Sequence, residues 1–102
     1  MMKEVATATA VVVNPTHYAI AIRYSLDSGT APKVVAKGKN YLALRIRKKA
    51  LDHGVPIVEN PPLARALYKS AEVGQEIPLD LYRAVAEILA YIYRLMNGRL
   101  PG

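Results

Sequence analysis

Two apolar runs, Ala8-Thr9-Ala10-Val11-Val12-Val13 and Tyr18-Ala19-Ile20-Ala21-Ile22-Arg23-Tyr24, stand near the head of the chain with only Asn14, Pro15, Thr16 and His17 between them. Alternation and β-branched residues predict strands over 8–13 and 18–24, joined by a tight, strained connection. Turn residues in 26–32 mark a loop, and 33–37 predicts a third strand. From Asn40 the period lengthens: Leu42, Ile46 and Ala50, with Leu44 and Leu51, recur at helical spacing until Gly54 ends the helix. His53 falls in its last turn, where a partial positive charge suits the helix dipole. A short strand over 55–59 contains Pro56, which argues for an edge position or a strand start. Asn60 then reads as the cap of a helix over 61–73, with Pro61 and Pro62 at its first positions, Leu63, Ala66, Leu67 and Ala71 as its apolar residues, and Gly74 as its end. The last helix, over 79–96, carries the stripe Leu81, Val85, Ile88, Ile92 and Leu95 and stops at Gly98. These elements predict a single domain of mixed α/β class, a small sheet of about four strands flanked by helices.

Composition narrows the chemistry. A chain of 102 residues can bury about two-thirds of the surface its unfolded form exposes, so an independent core is feasible. Cysteine is absent, which excludes disulfides and thiolate chemistry; His17 and His53 are the only histidines, so no metal site is visible. No cofactor is expected, since phosphate loops and nucleophile elbows are missing and Ser25, Ser28 and Ser70 have no nearby base in sequence. No segment approaches the ~18 consecutive apolar residues of a membrane span, so the chain read alone is expected to be soluble. The formal net charge is +6, densest at Lys33, Lys37, Lys39, Arg45, Arg47, Lys48 and Lys49. Arg45, Lys48 and Lys49 read as a solvated helix face. No base-stacking aromatic cluster accompanies them, so nucleic-acid binding is not expected and proximity to anionic lipid headgroups is the nearer use.

The candidate chemistry sits at Asn14-Pro15. Proline has no N–H, which closes the usual succinimide route through the following nitrogen. The cyclisation that remains has the Asn14 side-chain nitrogen attack its own backbone carbonyl and expel the Pro15 nitrogen, cutting the chain. The reaction is slow unless the fold holds nitrogen and carbon at roughly 3–3.5 Å and in line. The His17 imidazole could move a proton, and the Thr16 hydroxyl or backbone N–H groups could stabilise the oxyanion. The plainer reading is that Asn-Pro simply makes a turn. Asn60-Pro61 offers an internal comparison, expected to be an inert helix cap.

The run from Thr9 through Asn14-Pro15-Thr16-His17 to Ile22 resembles the self-cleaving segment of the FlhB/YscU family, the substrate-specificity switch proteins of type III secretion. So do Ala31-Pro32-Lys33-Val34-Val35-Ala36-Lys37-Gly38, Pro61-Pro62-Leu63-Ala64-Arg65-Ala66-Leu67-Tyr68, and the stretch from Ile77-Pro78 to Ala84-Val85-Ala86-Glu87-Ile88-Leu89-Ala90, in the family's order. Gly74-Gln75-Glu76-Ile77-Pro78 looks closer to the flagellar branch. The resemblance implies a single-turnover cut after Asn14, with Pro15, Thr16 and His17 completing the site, and an associated N-terminal piece. It further implies a cytoplasmic domain at the bacterial inner membrane, residues 1–8 ending the segment that connects to a transmembrane region, 9–98 forming the domain and 99–102 a tail. Implied partners are rod- and hook-type export substrates, an FlhA-like export gate protein and a hook-length control protein. Ala31, Pro32, Ala86 and Leu89 are implied as an apolar docking patch, although the plainer reading is that Ala86 and Leu89 widen the core face of their helix. A non-cleaving adaptor and a basic nucleic-acid-binding domain are the alternatives.

Overall fold

In the computed structural model, which describes residues 1–15 and 17–100, a four-stranded sheet is covered by helices on both faces. The strands are β1 (Ala10–Asn14), β2 (Tyr18–Arg23), β3 (Lys33–Lys39) and β4 (Ile57–Glu59), in the spatial order β3-β2-β1-β4. β1 runs antiparallel to β2 and parallel to β4, and β2 runs antiparallel to β3. The two central strands are apolar at successive positions because both their faces are covered. Ala10, Val12, Ile20 and Ile22 face one core with α3 (Pro61–Ser70) and α4 (Tyr82–Leu95). Val11, Val13, Ala19 and Ala21 face the other with α2 (Tyr41–Asp52) and, through Val5, α1 (Met2–Val5). α1 is too short to carry a readable period, and the sequence did not predict it.

Register in β3 changes once. Ala21 pairs with Ala36 and Ile22 with Val34, leaving Val35 as the extra residue of a bulge. The bulge turns Val34 into the first core and Ala36 into the second, which simple alternation would have placed on one face. The outer edge of β3 is not open. Gly74, at φ 88°, donates to the Val34 carbonyl at 2.7 Å, and the Val34 and Ile77 N–H groups bond Gln75 and Pro32 carbonyls at 3.0 and 2.9 Å. This strip blunts an edge that could otherwise pair with another chain. It also corrects the helix expected over 61–73: α3 ends at Ser70, Ala71 is extended at φ −106° and ψ 133°, and Gly74 belongs to the edge strip, not to a helix end. β4 is the opposite edge strand and begins just after Pro56, whose carbonyl accepts from Val11.

Two helix faces differ from expectation. In α2 the buried residues are Ala43, Ile46 and Ala50, while Leu44 and Leu51 are 51% and 68% exposed. The helix lies close to β3: a Cβ at Gly38 would meet Leu42 Cγ at 2.6 Å, so Leu42 fits there because residue 38 is glycine. In the last helix a 3-10 turn, Leu79–Leu81, precedes α4, whose core face is Val85, Ile88, Leu89 and Ile92. Leu95 is the last residue of α4 and is 60% exposed, so it leaves the predicted stripe.

Asn60 caps α3 as expected, accepting from Leu63 N–H at 3.2 Å, with Pro61 and Pro62 in the first turn. Asn60→Ala is expected to lower unfolding free energy by about 1 kcal/mol, read by urea denaturation, because the Leu63 N–H loses its side-chain acceptor.

Candidate functional site

The connection between β1 and β2 is a reverse turn. Asn14 pairs with Tyr18 at the end of the ladder, and the His17 N–H donates to the Asn14 carbonyl oxygen at 2.9 Å. Pro15 occupies the second position of this turn, where its fixed φ is favourable. Thr16, a predicted site residue, lies outside the described residues. Asn14 and Pro15 are half-buried and His17 is exposed.

Neighbouring elements hold the turn from several sides. The Asn60 N–H donates to the Val13 carbonyl at 2.9 Å, anchoring β1 one residue before Asn14. The Asn40 N–H donates to the His17 carbonyl at 2.9 Å. Asn40 occupies the N-cap of α2 as the sequence suggested, but its side chain makes no capping bond; what distinguishes it is a backbone at φ 54° and ψ −120°. Strain visible in the described backbone near the turn therefore sits at Asn40, directly behind His17. Arg47 of α2 donates from Nη1 to the Pro15 carbonyl oxygen at 2.8 Å. After the turn, the Tyr18 ring packs on Tyr68 of α3 with centroids 4.8 Å apart, and Lys37 lies 5.0 Å over that second ring while bonding the Tyr68 carbonyl. In the sequence Arg47 stands within a basic run. The available signal was its position beside Ile46, on the flank of the packing face.

The other candidate patch lies at the far end of β2. Ala31, Pro32, Ala86 and Leu89 come together along an apolar groove of about 590 Å³ whose walls include Tyr82 and Leu100. Leu89 does both things considered for it, packing in the core and forming part of the groove, whereas Ala86 is exposed. Leu100 reaches the groove because Asn97 and Gly98, at φ 54° and 87°, reverse the chain after α4. Of the tail 99–102, Pro101 and Gly102 lie outside the described residues. β2 separates the turn from the groove by roughly 17 Å of strand.

The sequence profile described as the FlhB HrpN YscU SpaS family matches residues 1–92. The chain belongs to this family. Among curated members of the FlhB HrpN YscU SpaS family, it is 54% identical over all 102 residues to the flagellar biosynthetic protein FlhB of Salmonella typhimurium, covering 27% of that protein. It is 52% identical over 94 residues to FlhB of Bacillus subtilis, covering 92% of this chain and 26% of that protein. The chain thus spans about a quarter of the length of these relatives. The crystal structure of the cytoplasmic domain of FlhB from Shewanella putrefaciens superposes with a TM-score of 0.87 at 44% identity, over 93% of this chain and 73% of that one. A mutated EscU C-terminal domain superposes with a TM-score of 0.85 at 36% identity, over 89% of this chain and 91% of that one. The chain therefore corresponds to the region of the Shewanella putrefaciens protein crystallised as its cytoplasmic domain. Among the described residues no helix is long and apolar enough to cross a membrane.

Proposed function

We propose that the chain is the cytoplasmic domain of a membrane-anchored flagellar type III export protein that cuts itself once, between Asn14 and Pro15, and takes part in switching export substrate specificity. The observation that carries this reading is the 2.9 Å hydrogen bond from the His17 N–H to the Asn14 carbonyl oxygen. That carbonyl is the one under attack, so the donor already stands where negative charge develops. In the reaction, Asn14 Nδ2 bonds to its own backbone carbonyl carbon, closing a succinimide, and the bond from that carbon to the Pro15 nitrogen breaks. The proton lost by Nδ2 ends on the Pro15 nitrogen, and water later opens the succinimide. The His17 imidazole is the candidate carrier of that proton.

The groove at Ala31, Pro32, Ala86 and Leu89 has the apolar lining suited to a short hydrophobic export signal. An export gate protein and a hook-length control protein are the other proposed partners. Turn and groove occupy opposite ends of β2, so the cut does not remodel the groove directly. Its effect on the switch is proposed to run through the freed turn surface.

A denaturing gel of purified protein after incubation at neutral pH tests the cut, two bands supporting it and one band favouring a non-cleaving adaptor. Ala86→Asp places a charge on the groove wall without entering the core. It is expected to weaken binding of an apolar export-signal peptide by about tenfold, measured by calorimetry, with the melting temperature unchanged.

A further inference from the structure

We infer that Arg47 is the positioning residue of the self-cleaving turn, an inference that rests on the cleavage reading above. The scissile bond joins two units held by different parts of the fold. On one side, β1 fixes Asn14 through its pairing with Tyr18 and through the Asn60 bond to the Val13 carbonyl. On the other, the Arg47 guanidinium holds the Pro15 carbonyl at 2.8 Å. Proline's ring already fixes one of its two backbone torsions, and a donor on its carbonyl restrains the other. The leaving nitrogen is thus held against the carbonyl it must leave.

α2 makes a firm platform for this clamp. Ala43, Ile46 and Ala50 seat it on the sheet, and its start is tied to the turn by the Asn40 N–H on the His17 carbonyl. Side chains of a helix lean toward its N-terminus, which carries the Arg47 side chain back toward that end. The fork is also not fully used. Arg47 Nε is buried and has no hydrogen-bond partner among the described residues, unusual for a buried donor. Lysine would not reproduce the arrangement, because its ammonium is a single hydrated point, not a planar fork.

The clamp acts on geometry and moves no proton. Small displacements at a reacting centre have large rate effects, and removal of Arg47 is expected to slow the cut by about tenfold or more. The test uses the full chain labelled in a short translation pulse and chased, comparing wild type, Arg47→Ala, Arg47→Lys and Asn14→Ala. Arg47→Ala should cleave slowly and be accelerated by guanidinium ion at concentrations far below denaturing ones, while wild type is not accelerated. Arg47→Lys should recover only part of the rate. Melting temperatures are compared in the uncut Asn14→Ala background to separate rate from stability. Wild-type cleavage with Arg47→Ala at the same rate overturns the inference. So does slow cleavage that neither guanidinium nor lysine improves, since that is the behaviour of a residue needed only for folding. A wild-type chain that never cleaves removes the parent reading, and the inference with it.

Discussion

Asn14→Ala is expected to yield one uncut chain of 102 residues with the far-ultraviolet circular dichroism of the wild type. The substitution removes the attacking nitrogen and leaves the turn's backbone bonds available, including the His17 donor to residue 14 and the Asn60 donor to Val13. Asn14 is the last residue of β1 and only half-buried, so the change in stability should stay within about 1 kcal/mol. The contrast with Asn60 sharpens the result. Asn60 also precedes proline, but its side-chain oxygen is held by the Leu63 N–H and its carbonyl accepts from Ala64 in a helix. Asn60→Ala should therefore leave the gel pattern of the wild type unchanged.

Val12→Asp is expected to abolish both the fold and the cut, although it lies two residues from Asn14 and touches none of the chemistry. Val12 is fully buried in the core beneath α3 and α4, and its strand is paired on both sides. An unpaired carboxylate there costs several kcal/mol, comparable with the 5–15 kcal/mol that typically holds a domain together. Loss of the circular dichroism signal together with a single band on the gel is the expected pair of results. A variant that unfolds and still cleaves would contradict the view that the fold supplies the rate. The same strand would hold the pieces together after the proposed cut. Burial of Val11, Val12 and Val13 contributes roughly 5–9 kcal/mol, and the ladders to β2 and β4 join the two pieces independently of the Asn14-Pro15 bond. The pieces should therefore co-elute in native gel filtration and separate only in denaturant.

The β1-turn-β2 unit was legible because Val11 to Val13 and Ala19 to Ile22 carry a signal that both helix-covered faces reinforce. The cap at Asn60 was legible too, because cap and prolines are local. What sequence could not give is where tertiary contact overrules size. Leu44 and Leu51 share the helical spacing of core residues, but the helix turns Ala43 and Ala50 to the sheet, and Leu42 lies against β3 where Gly38 has no Cβ to meet it. The bulge at Val35 is a register shift of the β2–β3 pair that the alternation of β3 alone does not reveal. In the turn, Asn14, Pro15 and His17 are candidates from their chemistry alone, and the proposed cut is what tests them. Arg47 was not legible, since it lies 32 residues from the carbonyl it holds and hides in a basic run.

Mass spectrometry of the two pieces tests the central claim most directly. The account predicts an N-terminal piece of 14 residues that first appears one water lighter than the free acid, and a C-terminal piece of 88 residues that begins at Pro15. The lighter mass is the succinimide at Asn14, which should convert to the acid on standing. A chain that stays whole through long incubation at neutral pH, or that splits anywhere other than after Asn14, would contradict it.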